Sequence, residues 1–106
     1  MALIYKSYTP KGVGEIMDHL TYIMFSGPAF ADPRFVGRDL PTAFHELNEG
    51  LGLIRDKLGE ERYAQLIDLS NQVRAHYEAD PENKTDDTVK GRELIVVMEN
   101  ILKQKV

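Results

Sequence analysis

The chain has no cysteine, which excludes disulfides, thiolate metal sites and a cysteine nucleophile. Long hydrophobic runs are missing as well. The longest purely apolar stretch, residues 94–98, is far short of the roughly 20 residues needed to cross a bilayer. The opening residues hold few apolar positions before Lys6 interrupts them, so no secretory leader is read there. These absences predict a cytoplasmic protein without membrane contact. Positive charge is the scarcer sign, with 13 Lys and Arg against 17 Asp and Glu and a formal net charge of −4. A surface of that balance repels phosphate backbones, so nucleic-acid binding is not expected.

The motifs of catalysis are also thin. Serines are few and none lies in a Gly-x-Ser-x-Gly turn. Gly12 and Gly14 open a helix but lack the preceding strand and third glycine of a phosphate-binding loop. No catalytic residue, no metal ligand set and no cofactor is predicted.

What the chain does contain is helical periodicity. Leu40, Phe44, Leu47, Leu51, Ile54 and Leu58 alternate steps of four and three residues and so share one stripe of an α-helix. Three further amphipathic segments flank it. Thr9-Pro10 reads as a helix start, followed by Val13, Ile16, Met17, Leu20 and Met24. Gly59 reads as a left-handed stop before Glu60 and Glu61, which suit the positive end of a third helix with Tyr63, Leu66, Ile67, Val73 and Tyr77 inward. Thr85 or Asp86 caps the fourth, with an inward row of Leu94, Val97, Met98 and Ile101, started by Val89 and adjoined by Leu102. The predicted fold is all-α: one domain over residues 1–106, a compact up-down four-helix bundle with helices 10–25, 40–58, 60–79 and 86–104. Residues 1–8 form an N-terminal arm and 26–39 a long ordered connection. At 106 residues there is room for one core and no second domain.

Leu53, Leu69, Ile95 and Val96 fall outside the stripes and make a second apolar face. Either the connection and arm cover it, or it joins two copies in a homodimer.

Three acid–histidine pairs four residues apart invite a metal reading: Glu15 with His19, His45 with Glu49, and His76 with Asp80. At ~100° per residue the histidines lie off the apolar stripes and point away from the core. Surface ion pairs are the plainer account. The stretch 80–87 imitates a calcium loop, but counting from Asp80 puts Thr85 where glycine is needed and Gly91 where the bidentate Glu belongs.

Two segments remain as binding candidates. Between 26 and 39, Phe30, Arg34, Phe35 and Arg38 bring aromatics and arginines, the side chains enriched at hot spots, onto a non-helical connection. Glu78, Asp80, Glu82, Asp86 and Asp87 face a single Lys84 and would attract a basic protein. The expected function is a non-catalytic protein-interaction domain that neutralises or regulates a basic partner, in the manner of immunity proteins, chaperones or adaptors. The alternative is a small-ligand or metal-binding bundle with its pocket under residues 26–39.

Overall fold

The computed structural model describes residues 10–27 and 40–105. The arm 1–8, Thr9 and all of the connection except Ser26, Gly27 and its boundary with the next helix lie outside the described residues. Among those described the fold is entirely helical, with α1 (Val13–Ser26), α2 (Leu40–Leu53), α3 (Arg55–Leu58), α4 (Glu60–Ala79) and α5 (Asp86–Lys105). The packing closes on itself: α1 touches α2 and α5, and α4 touches α2, α3 and α5.

Helix α1 begins three residues later than its sequence predicts. Gly12, in extended backbone, precedes the first turn without a side-chain cap, and its carbonyl accepts from Ile16 N–H at 2.9 Å. Pro10 is instead buried against α2. A Cβ on Gly50 would stand 3.0 Å from the Pro10 carbonyl and 3.1 Å from its Cγ, so glycine there permits the contact.

The central ladder is buried as its spacing requires, Leu40 only partly and Phe44, Leu47, Leu51, Ile54 and Leu58 almost wholly. Its helix is not continuous. At Ile54 the backbone leaves the helical region (φ −107°, ψ 15°), and Ile54 N–H donates to Leu51 three residues back. Gly50 and Gly52 lower the local resistance to that break, and a single tightened step keeps Leu58 on the buried side.

Gly59 ends α3 and starts α4 at φ 83°, ψ 156°. This is not the left-handed helical stop expected from sequence but a region essentially reserved for glycine. No atom lies within 4 Å of a Cβ built there, so the constraint is backbone conformation alone. Gly59→Ala is expected to cost about 1–3 kcal/mol, read as a shift in denaturation midpoint with an unchanged slope. Across the same turn Arg55 grips Glu60 with two bonds of 2.7 and 2.6 Å and lies 4.8 Å from the Tyr63 ring centroid. The guanidinium holds the Glu60 carboxyl below its ordinary value.

The inward row of α5 differs from its prediction. Thr88, Gly91, Ile95, Met98 and Leu102 are buried, whereas Val89 and Val97 are exposed and Leu94 and Ile101 are only partly covered. The face is rotated because the two residues that mark its N-terminal half are a threonine and a glycine, which hydrophobicity does not flag. The Tyr77 ring fills the space over Gly91. On α4, Leu66, Ser70, Val73 and Tyr77 are buried, and Tyr63 and Ile67 lie at the edge. Ser70 satisfies its hydroxyl by donating to Asn48 Oδ1 at 2.7 Å.

Candidate functional site

The acidic turn between α4 and α5 is organised from within by Asp80. Its side chain is buried, and its carboxylate accepts from Lys84 N–H (2.7 Å), Thr85 N–H (3.0 Å), Thr88 N–H (3.3 Å) and the Thr88 hydroxyl (2.6 Å). Burial alone raises a carboxyl pKa. Here the bonds from Thr88, Lys84 and Thr85 outweigh it and hold Asp80 well below the usual carboxylate range. Thr85 completes the cap by accepting from Asp87 N–H at 3.2 Å. Asn83 tolerates the one positive φ (57°) found at a non-glycine among the described residues.

Asp80 is therefore buried within the turn and does not stand with the exposed acids among which its sequence position groups it. Its carboxylate is occupied by three backbone N–H groups and the Thr88 hydroxyl. Nor does it pair with His76. That imidazole instead lies 2.9 Å from Asp87 Oδ1, tying the last turn of α4 to the first of α5. Glu78, Glu82 and Asp86 are exposed. Glu78 stands 3.6 Å from Arg74, and Glu82 2.7 Å from Lys84. Such exposed pairs contribute little and open readily to a competing cation. Phe30, Arg34, Phe35 and Arg38 lie outside the described residues, as does the pocket expected beneath their segment.

No family model matches the chain, and no curated protein or solved structure is detectably similar to it.

One histidine departs from the sequence reading. His19 is buried, not outward: its Nε2–H donates to the Ala43 carbonyl at 2.9 Å, and Glu46 Oε1 lies 3.9 Å away, equally buried. The apolar residues Val13, Met17 and Met24 mark the flank of α1 that meets α5, whereas α2 approaches the opposite flank, where His19 stands. His45 is exposed beside Glu49 at 3.6 Å, as its phase predicts. Among the described residues no group of three or more His, Asp or Glu is placed to hold a metal ion.

Two open cavities are lined by polar groups. One of about 490 Å³ lies at the α3–α4 turn between Glu60, Glu61, Arg62, Gln65 and Gln104. Another of about 310 Å³ lies between α2 and α4, with His45, Asn48, Glu49, Leu53 and Tyr63. Neither lining contains a serine or threonine. Among the described residues no helix is long and apolar enough to cross a membrane.

Of the second apolar face expected from sequence, Leu53 and Val96 are exposed but Ile95 is fully buried, and two of the exposed apolar residues, Phe25 and Val89, were not anticipated there. Phe25 is 77% exposed, Val89 50% and Val96 45%, on the outer sides of α1 and α5. The available signal was the run 22–25 (Tyr-Ile-Met-Phe), since four consecutive large apolar residues exceed what one helix face can bury. Leu53, 61% exposed on α2, does stand off its ladder as expected.

Proposed function

We propose that this chain is a non-catalytic protein-interaction domain that meets a basic protein through the α4–α5 turn. It would act as immunity proteins, chaperones or adaptors do, on an up-down bundle in which α2 and α3 count as one rod. The observation that carries the reading is the buried Asp80 carboxylate. Four donated bonds hold the turn in one shape, so Glu78, Glu82 and Asp86 are displayed on a fixed frame rather than a loose acidic loop. A preorganised surface loses less freedom on binding. Acids so placed mainly accelerate encounter and select partners of opposite sign.

The test is affinity purification of the tagged protein at low salt, with the co-purifying protein identified and then titrated in pure form. The expected partner is net positive. Its association rate should fall about tenfold on combining Glu78→Lys, Glu82→Lys and Asp86→Lys, and the difference should shrink at high salt. A partner whose binding ignores both the reversals and the salt would refute the reading.

A further inference from the structure

We infer that the outer face shared by α1 and α5 docks an amphipathic basic helix of the partner, with Phe25 as the central anchor. The inference rests on the interaction-domain reading above and specifies its partner.

Three contacts fix how the two helices lie. Arg92 Nε–H donates to the Met24 carbonyl at 3.1 Å, Thr21 donates to Glu99 at 3.3 Å, and Lys103 borders Met17 and Val13. Residue numbers rise on one helix as they fall on the other, so the pair is antiparallel. Phe25 lies one residue beyond Met24, at the level of Arg92. Val89 and Val96 stand one turn to either side of that level, on the flank of α5 turned toward α1. The two valines are seven residues apart, about 10 Å along the axis. That spacing matches the anchors by which a helix lies in a groove.

Among the described residues, the charges alongside Phe25, Val89 and Val96 are mainly acidic. Asp18 precedes Phe25 by two turns on the exposed side of α1, and Asp86 and Glu93 alternate with Val89 and Val96 along α5. Of the described cations nearby, Arg92 and Lys90 are turned elsewhere and Lys103 stands at the far end of the strip. Arg92 is partly buried and directs Nε to the end of α1. Lys103 lies two turns beyond Val96, and Lys90 is about 100° around α5 from Val89. An apolar strip edged by carboxylates complements lysines and arginines flanking a row of leucines. It does not suit a second copy of the chain, because a two-fold contact would set these same acids against themselves.

A labelled helical peptide of about 20 residues, with leucines at heptad spacing and lysines elsewhere, is the probe, read by fluorescence anisotropy. It should bind, and its counterpart with glutamates for lysines should not. Phe25→Ser should weaken binding at least tenfold with little change in thermal unfolding, because the side chain is exposed. Asp86→Lys with Glu93→Lys should weaken it about tenfold at low salt and flatten its salt dependence. Binding that survives Phe25→Ser but is lost on Glu78→Lys with Glu82→Lys overturns this face and leaves the interaction-domain reading standing. Failure of the peptide and of every basic partner removes both. A dimer in sedimentation that Phe25→Ser abolishes would make a second copy the occupant and overturn the inference.

Discussion

Gly91→Ala is expected to destabilise the protein by about 1–3 kcal/mol, although alanine is favoured over glycine in a helix by about 1 kcal/mol. The sign is decided by Tyr77. An added Cβ at Gly91 would stand 2.6 Å from Tyr77 Cε1 and 2.8 Å from Cδ1. The opposite edge of the ring is held in the same way, since a Cβ at Gly27 would lie 2.5 Å from Cε2. A ring clamped along both edges cannot swing from one glycine without striking the other. Its far surroundings are closed too: Phe44 meets it edge-on at 6.3 Å, and its hydroxyl donates to the Ile23 carbonyl at 3.4 Å. Burial there pushes the Tyr77 phenol up, against a smaller opposing effect of Arg92.

Urea denaturation of a double-mutant cycle checks this account. Tyr77→Leu alone should cost about 2–4 kcal/mol for the cavity it leaves. In that background Gly91→Ala should lose its penalty and approach the propensity gain. A stabilising Gly91→Ala in the otherwise native protein would show that the ring yields and the clamp is not real.

Asp80→Ala is expected to lower Tm by roughly 10 °C, by analogy with lost helix caps. The alanine leaves the amides of Lys84, Thr85 and Thr88 and the Thr88 hydroxyl without their acceptor. The pH dependence follows from the lowered pKa of the folded carboxyl. A depressed folded value contributes stability that is complete above the unfolded value, about 3.9, and is lost as pH falls below it toward the folded value. Tm of the native protein should therefore drop between about pH 4 and pH 2, and Asp80→Asn should flatten that limb while lowering the plateau. An acid limb unchanged by Asp80→Asn would place the responsible carboxyl elsewhere. Because Asp80 shapes the turn without facing outward, Asp80→Asn should also slow partner association less than reversal of Glu78, Glu82 and Asp86.

The helices were legible wherever apolar residues alone define a face. Phe44, Leu47, Leu51, Ile54 and Leu58 repeat at a spacing that admits one reading, and each is buried. The α4–α5 boundary was legible because Asp80-Pro81 and Thr85 are local signals. The rest failed for one reason in three places. On α5 the buried face runs through Thr88 and Gly91, and on α1 through His19. None of these residues advertises burial, and each is buried because of a group outside its own helix: Asp80, Tyr77 and the Ala43 carbonyl. The Asp80 carboxylate is read as a surface charge for the same reason, since its donors assemble only when the turn closes. At the candidate docking face, Val89 was assigned inward by hydrophobicity and emerges outward by rotation.

Composition and periodicity determined by themselves that this protein is helical, cysteine-free, net acidic and built on a leucine-rich central rod, because those properties depend on residues near one another along the chain. The rotation of α1 and α5, the break at Ile54 and the choice of which acid is buried were decided only when the helices met. The rotations depend on contacts between residues distant in the chain, and the free energy of filling space around Tyr77 or satisfying His19 is set by what the neighbouring helix supplies. The Ile54 break and the Asp80 cap instead use partners three to eight residues away that come together only in the folded turn.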